Sequence, residues 1–213
     1  MPSQSTGVRD PDDVKFPVAL LLIDVINALD FPNSEALLKH ALPMAERIEA
    51  LKAAARRHGV PVIYVNDNFG RWRSDFRSQV DYCLQPEVLG RLTAERLRPG
   101  EDDYFVLKPM HSGFYLTPLE LLLDRLGAKT LILTGMATNI CVFFTANDAH
   151  MRGYRVIAPS DCSAAESVAD HRSTLEQMQK VMSADVRPSS EIDFAKLLAD
   201  ASTQMSENHG SHG

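Results

Sequence analysis

The sequence from Leu131 to Ala149 reads LILTGMATNICVFFTANDA, in which an apolar run, a glycine and a cysteine follow one another. Its first three residues are aliphatic, as expected for a β-strand that is buried on both faces of a parallel sheet. Gly135 gives the backbone the freedom to turn after this strand. Thr138 and Asn139 are favoured N-cap residues, so a helix is predicted to begin there with Cys141 in its first turn.

Cys141 is a candidate nucleophile because of this predicted position. The amide dipoles at the N-terminus of a helix favour negative charge, so we expect the Cys141 thiol to ionise more readily than a free thiol. The alternative interpretation is a small apolar side chain that packs the junction between strand and helix, since free cysteines are among the most buried residues.

Strand-like and helix-like patterns alternate along the chain. Apolar runs predict strands at residues 18–23, 60–65, 104–107, 130–133, 155–158 and 184–186. Apolar residues with a helical period predict helices at residues 41–58, 118–126, 139–152 and 170–182. Right-handed crossovers between parallel strands place helices on both faces of a sheet. The sequence therefore predicts an α/β fold, with three layers, α/β/α, around a mostly parallel, doubly wound, Rossmann-like sheet of about six strands.

The bulk composition suits one compact domain. The chain has 213 residues, of which 45% are hydrophobic and 23% charged, so it is long enough to bury a full core. We predict a single domain over residues 16–201. Residues 1–15 and 202–213 are polar and are predicted to be disordered tails. Residues 66–99 are less regular and predict loops and short helices over one end of the sheet.

Composition and charge argue against several classes of partner. The formal net charge is −6 and no stretch is rich in lysine or arginine, so no nucleic-acid partner is expected. The longest apolar run, residues 18–23, is far too short to cross a membrane, and the N-terminus lacks the apolar core of a signal peptide. We therefore expect a soluble, cytoplasmic protein with no membrane partner.

The chain contains three cysteines, Cys83, Cys141 and Cys162. Their number is odd, and no pair has the Cys-x-x-Cys spacing of thiolate zinc sites. We expect reduced thiols, no disulfide framework and no bound metal.

The residues that follow the predicted strands are candidates for the functional site, because ligands of open parallel sheets bind at the carboxyl ends of the strands. Asp24 directly follows the first strand, Lys108 follows the third, and Gly135 leads from the fourth to Cys141. Together these side chains supply a base, a cation and a nucleophile, which suits a hydrolase. The alternatives are a turn role for Asp24 and a surface position for Lys108.

Three motifs carry a family resemblance over about residues 18–165. They are a strand that ends in Asp24 with Asn27 and Phe31 downstream, Lys108-x-x-x-Ser112-x-Phe114, and a block from Gly135 to Ala149 that contains Thr138, Cys141, Val142, Thr145 and Asp148. With these motifs the chain resembles the isochorismatase-like cysteine hydrolases. That superfamily includes nicotinamidases, isochorismatases and N-carbamoylsarcosine amidohydrolase.

The resemblance implies both a site and a reaction. Asp24, Lys108 and Cys141 are expected to form a catalytic triad, with a cis peptide bond between Met136 and Ala137. The backbone amides of Ala137 and Cys141 are expected to form the oxyanion hole. The implied reaction is hydrolysis of the C–N bond of a small amide, ureido or carbamoyl compound through a Cys141 thioester, without a cofactor. Relatives are usually homo-oligomers, so a dimer or tetramer is expected.

The substrate pocket is less well specified. The Asp-x-His cluster with which nicotinamidases bind a metal is missing after the second strand, so a nicotinamidase is disfavoured. The resemblance places substrate-binding side chains at Asn66, Asp67, Arg71, Trp72 and Arg73. Two guanidinium groups beside an indole suit a carboxylate-bearing or planar amide substrate. The alternative is that Trp72 covers the core while the two arginines pair with nearby acidic residues.

Three aromatic residues, Phe31, Phe114 and Tyr115, are further candidates for the walls of the substrate pocket. Other functions also stay open. One is hydrolysis of a vinyl ether, as isochorismatases perform; another is a catalytically idle family member that binds a metabolite or a partner. A third is a thiol redox protein in which Cys141 pairs with Cys162, although no motif for a resolving cysteine is present.

Overall fold

The computed structural model describes residues 15–32, 34–70, 72–73 and 75–201. Apart from Lys15, the two predicted tails lie outside these described residues. Lys15 itself contacts the domain, because its Nζ donates a hydrogen bond of 2.9 Å to the carbonyl oxygen of Arg125.

Six parallel strands form one sheet. They are β1 (Val18–Ile23), β2 (Val62–Asp67), β3 (Tyr104–Lys108), β4 (Thr130–Met136), β5 (Arg155–Ile157) and β6 (Ser163–Ala164). The strand order is β3-β2-β1-β4-β5, and β6 pairs with the end of β4. The predicted α/β fold with a mostly parallel sheet of about six strands is therefore confirmed.

The sixth strand is not where the sequence placed it. Residues 184–186 contribute only a single bridge, in which Asp185 pairs with Ile157. The sixth strand is instead the short segment Ser163–Ala164, which lies beside Gly135 and Met136 of β4. Two residues are too few to produce an apolar alternation, so the pattern could not show this strand.

Helices cover both faces of the sheet. They are α1 (Ser34–Arg57), α2 (Phe76–Cys83), α3 (Arg91–Arg96), α4 (Leu119–Leu126), α5 (Phe143–Met151) and α6 (Val168–Met182), followed by a helical segment at residues 194–201. One core lies between the sheet and α1, α2 and α3, and the other lies between the sheet and α4, α5 and α6. None of the described helices is long and apolar enough to cross a membrane.

Strand β1 lies at the centre of the sheet and contributes to both cores. Leu20 and Leu22 pack on the α1 face, while Leu21 and Ile23 pack on the opposite face. All six residues of β1 have no exposed surface, and burial of each large aliphatic side chain stabilises the fold by about 1.5–3 kcal/mol. The chain therefore leaves β1 from the middle of the molecule, where a polar residue at the strand end is enclosed by protein.

Candidate active site

Asp24 occupies the first position after β1. Its backbone is in the left-handed region, with a φ of +52°, which aspartate tolerates better than most residues. The residue as a whole is only 4% exposed. Its Oδ1 accepts a hydrogen bond of 2.6 Å from the backbone amide of Asp67, the last residue of β2. The end of the neighbouring strand therefore fixes the orientation of the Asp24 carboxylate.

Lys108, the last residue of β3, brings the cation to the same edge of the sheet. Its ammonium group is completely buried and lies 2.8 Å from Oδ2 of Asp24. It also lies 3.5 Å from Oδ2 of Asp67 and 3.2 Å from the carbonyl oxygen of Met110. The same Nζ is 3.5 Å from Sγ of Cys141. The carboxylate, ammonium and thiol thus meet, as the positions at the ends of the strands predict.

A sharp turn after β4 presents the thiol. Gly135 has a φ of +113°, and a Cβ at this position would lie 1.9 Å from the carbonyl oxygen of Ile23 on β1. Only glycine allows β1 and β4 to approach so closely. The peptide bond between Met136 and Ala137 is cis. Residues Thr138–Val142 then form a π-helical turn that contains Cys141, and α5 continues from it.

The start of this helix differs from the prediction. Neither Thr138 nor Asn139 is the cap, because Ala137 holds that position without a capping side chain. The hydroxyl of Thr138 instead lies 2.9 Å from Nδ1 of His171 on α6. This partner is more than thirty residues away, so the local sequence gave no sign of it.

A second set of hydrogen bonds joins the loop after β3 to the turn that contains Cys141. The hydroxyl of Thr145 donates to the carbonyl oxygen of Cys141 over 2.7 Å. The same hydroxyl accepts a hydrogen bond of 3.0 Å from the backbone amide of Gly113. Sequence reasoning assigned no role to Thr145 or Gly113, although Thr145 belongs to the motif around Cys141. Their bonds fix the distance between the segments that carry Lys108 and Cys141.

The electrostatics of the site follow from its burial. Loss of water raises the pKa of Asp24 above its ordinary value, against the attraction of Lys108. Burial also opposes the charge of Lys108, but the nearby Asp24 carboxylate and Cys141 hold the pKa of this lysine above its usual range. The 2.8 Å contact between Asp24 and Lys108 therefore offsets part of the cost of burying each charge.

The Cys141 thiol behaves differently from our expectation. Burial and the negative charge of Asp24 raise the pKa of Cys141 well above that of a free thiol, and the attraction of Lys108 is too weak to reverse this. The prediction that Cys141 ionises readily is therefore wrong. The resting site contains a neutral thiol that is hydrogen-bonded to the Asp24 carboxylate.

Two of the predicted substrate-binding residues serve the protein itself. Asn66 has no exposed surface. Its side-chain amide accepts a hydrogen bond from the backbone of Ile26 and donates another to it, with distances of 3.2 and 2.8 Å, so it holds the loop after β1 and is not available to a substrate. Asp67 is half-buried and contacts Asp24 and Lys108 directly. Asp67 therefore helps to hold the Asp24 and Lys108 side chains in place.

The three aromatic candidates for the pocket walls differ in how far they are buried. Phe114 is 5% exposed and packs in the core beneath the guanidinium group of Arg152, 4.9 Å from its ring centre, so it does not line an open pocket. Phe31 is half-buried against the core on the α1 face. Tyr115 is 52% exposed on the loop after β3. Packing against the helices determines which of these rings are buried. The local sequence pattern does not indicate that packing.

Trp72 and Arg73, in the loop after β2, lie at the surface of the protein. Trp72 is 79% exposed, which contradicts the interpretation in which its ring packs on the core. Arg73 is also exposed, and Arg71 lies outside the described residues.

Among the residues that the structure describes, no group of three or more His, Cys, Asp or Glu is arranged to hold a metal ion. His111 packs its ring against Phe144, with ring centres 5.6 Å apart.

Comparison with known proteins assigns the chain to a family. Residues 18–187 match the model of the isochorismatase domain, so the chain belongs to the isochorismatase family, whose members are hydrolases. YaaI of Bacillus subtilis (strain 168), an uncharacterized protein of that family, is 39% identical over 174 residues, which cover 82% of this chain and 95% of YaaI. The family resemblance predicted from the motifs is confirmed.

Two further relatives have names that state an activity. The ureidoacrylate amidohydrolase RutB of Methylorubrum extorquens is 32% identical over 144 residues, and these span only 57% of each protein. The solved structure of N-carbamoylsarcosine amidase from Thermoplasma acidophilum aligns with a TM-score of 0.64 and 28% identity, and covers 84% of this chain and 99% of that one.

Proposed function

We propose that this protein is a cysteine-dependent hydrolase that cleaves a C–N bond of a small amide, ureido or carbamoyl compound. The observation that supports this most directly is the arrangement of Lys108, with its ammonium group 2.8 Å from Asp24 and 3.5 Å from the sulfur of Cys141. A carboxylate, a cation and a thiol in contact are the groups that acyl transfer to sulfur requires.

The neutral thiol determines how the reaction begins. Because the pKa of Cys141 is raised, Asp24 takes the thiol proton as the sulfur attacks the substrate carbonyl, and no free thiolate accumulates beforehand. Lys108 stabilises the Asp24 carboxylate at rest and the developing negative charge on sulfur during attack. The proton then passes from Asp24 to the departing nitrogen, which leaves as ammonia or an amine.

The backbone amides of Ala137 and Cys141 are the proposed donors to the tetrahedral oxyanion. One such donor typically contributes on the order of 3 kcal/mol to the stability of the transition state. After the amine leaves, Asp24 removes a proton from water, and the resulting attack releases the acid and restores the thiol. Over the whole cycle, one amide and one water are converted into one carboxylic acid and one amine or ammonia.

A C–N bond is favoured over a vinyl ether because a covalent thioester route uses all three groups of the site. The names of two relatives, ureidoacrylate amidohydrolase and N-carbamoylsarcosine amidase, point to the same kind of bond. A family member without catalytic activity is disfavoured, because burial of an acid and a lysine beside a thiol destabilises the fold unless these groups serve a function.

The test is a screen of primary amides, ureas and N-carbamoyl compounds with detection of released ammonia or amine. Cys141→Ala should lose at least about a thousandfold in kcat/KM on every substrate that the wild type hydrolyses. Cys162→Ala is the matched control, because Cys162 is also a free cysteine but lies in the core. Equal rates in wild type and Cys141→Ala would overturn the proposal.

A further inference from the structure

His171 on α6 connects two loops at the carboxyl ends of the strands. Its Nε2 lies 3.0 Å from the carbonyl oxygen of Ser160, in the loop after β5. Its Nδ1 lies 2.9 Å from the hydroxyl of Thr138, the first residue of the turn that contains Cys141. The imidazole therefore joins the turn with the nucleophile to a part of the protein outside the reacting groups.

The two contacts determine which nitrogen of His171 carries the hydrogen. A backbone carbonyl can only accept a hydrogen bond, so Nε2 donates to Ser160. Burial and the nearby His40 hold the pKa of His171 below its ordinary value, so the ring is neutral at pH 7 and Nδ1 is an acceptor. The hydroxyl of Thr138 therefore donates its hydrogen to Nδ1.

The bond to His171 anchors the turn from outside. Ala137 stands before the turn without a capping side chain. Thr138 has no exposed surface, so water does not replace the imidazole as its partner. Within the turn, the backbone amides of Ile140 and Val142 both donate to the carbonyl oxygen of Ala137, over 3.1 and 3.2 Å. Movement of Thr138 would therefore move the peptide unit between Ala137 and Thr138, on which these bonds converge.

This peptide unit lies between the two proposed oxyanion donors. The amide of Ala137 stands directly before it, and the amide of Cys141 follows it within the same turn. A misplacement of about 1 Å in a group of this kind can slow a reaction about a hundredfold. Both tetrahedral intermediates of the proposed cycle place their oxyanion at these amides, so kcat should respond whichever of the two steps is slower.

We propose that His171 is a positioning residue of the reaction, which accepts the hydrogen bond of Thr138 and thereby holds the amides of Ala137 and Cys141 in the geometry that stabilises the oxyanion. In this role His171 acts through Thr138 and takes no part in the proton transfers. The inference rests on the proposed amide hydrolysis, because that reaction gives the two amides their function.

Two substitutions of His171 separate its two hydrogen bonds. In His171→Asn the side-chain oxygen can take the place of Nδ1 and accept from Thr138, but no group replaces Nε2. In His171→Gln the longer side chain can keep a donor for Ser160, but its polar atoms lie beyond the position of Nδ1. Each variant loses one buried hydrogen bond, so both should lower Tm by a similar amount, about 2–8 °C.

The value of kcat distinguishes these variants. The substrate is the best one found in the amide screen, assayed well below the Tm of every variant. His171→Gln should lower kcat about ten- to hundredfold with KM within about threefold of wild type, whereas His171→Asn should keep both within about threefold. Thr138→Val removes the hydroxyl from the other side of the bond and should match His171→Gln. Thr138→Ser keeps the hydroxyl and should retain most of kcat.

Thr174→Val is the matched control. Thr174 lies on the same helix as His171 and is 7% exposed. Its hydroxyl donates to the carbonyl oxygen of Asp170 over 2.7 Å, so this bond stays within α6. The variant loses a hydroxyl hydrogen bond of the same kind as Thr138→Val, with a similar decrease in Tm, but its kcat should equal that of the wild type.

The outcomes separate this inference from the proposed function. Equal kcat in His171→Gln and His171→Asn, or a loss in Thr174→Val as large as in Thr138→Val, would overturn the inference, because lost stability would then explain the rates. If His171→Gln does not fold, Thr138→Val and Thr138→Ser carry the same test, and equal kcat in this pair overturns the inference. These results leave amide hydrolysis intact. Hydrolysis that persists in Cys141→Ala, or no hydrolysis of any amide by the wild type, would contradict the proposed function itself.

Discussion

Substitution of Lys108 by methionine should destabilise the protein in a way that depends on pH. The side chain of Lys108 has no exposed surface and that of Asp24 is 5% exposed, so removal of the ammonium leaves a carboxylate enclosed by protein. At 2.8 Å and an effective dielectric of 20, the attraction between the two charges is about 6 kcal/mol.

Methionine regains part of that energy because it avoids the desolvation of a buried ammonium. Measured losses for breaking buried pairs are about 3–5 kcal/mol, and we expect a decrease in the free energy of unfolding of that size at pH 7. In the variant the pKa of Asp24 rises further. Asp24 then binds its proton more tightly in the folded state than in the unfolded state, so the loss is absent below the ordinary pKa of 3.8 and grows as the pH rises.

Urea unfolding of wild type and Lys108→Met at several pH values between 3 and 8 measures this difference. Lys129→Met is the control, because Lys129 is exposed. The double variant Asp24→Asn/Lys108→Met should recover most of the stability but no activity. In Lys108→Met itself, kcat/KM should fall by about 10²–10⁴ and its acidic limb should move to higher pH. Equal stability of Lys108→Met and wild type at pH 7, with an unmoved acidic limb, would refute this account of the ion pair.

Three further predictions concern other parts of the fold. Lys52→Met should lower the free energy of unfolding by about 2–3 kcal/mol, because Lys52 contacts the Asp103 carboxylate at 3.2 Å. The pKa of Asp103 is lowered in the folded protein, so this loss of stability should become smaller as the pH falls below 3.8. Urea unfolding at several pH values measures it. Gly135→Ala should cost more than about 4 kcal/mol in thermal unfolding, whereas Gly153→Ala, which has open space at its Cβ, should cost about 1–2 kcal/mol. Iodoacetamide should alkylate Cys141 more slowly than free cysteine at pH 7, with a rate that still rises at pH 10; rapid reaction that levels off near pH 7 would contradict the raised pKa.

The sequence predicts the elements and their polar ends well because these depend on local patterns. A buried parallel strand is an unbroken apolar run, and the polar residue at its end is visible without any knowledge of the fold. Asp24 and Lys108 stand out in this way. Their meeting with Cys141 follows from the rule that parallel strands carry their carboxyl ends to one edge.

The features that the sequence does not predict depend on contacts between distant segments. Asn66 looks like a loop residue that faces a substrate, but its partner is the backbone of Ile26, forty residues away. Phe114 is drawn into the core by helix packing. Partial burial and the charge of Asp24 raise the pKa of Cys141, and the position of this residue at the start of a helix determines neither of them. Substrate selection is therefore harder to predict than catalytic chemistry.

The expected homo-oligomer stays a prediction. Several large apolar side chains are exposed on the loop after β3 and on α4 and α5, among them Leu116, Leu121 and Met151. Exposed apolar surface of this kind is compatible with contact between copies of the chain. Sedimentation velocity of the purified protein measures the state directly, and a dimer or tetramer is the expected result.

The partitioning of products between water and hydroxylamine tests most directly whether a covalent thioester forms on Cys141. Two substrates with the same acyl group but different leaving amines are hydrolysed in the presence of hydroxylamine, and the ratio of hydroxamate to acid is measured. Both substrates form the same acyl-enzyme once the amine has left. We therefore expect the same ratio of hydroxamate to acid for both substrates. A ratio that changes with the leaving amine would contradict it, because water would then attack the substrate before the amine departs.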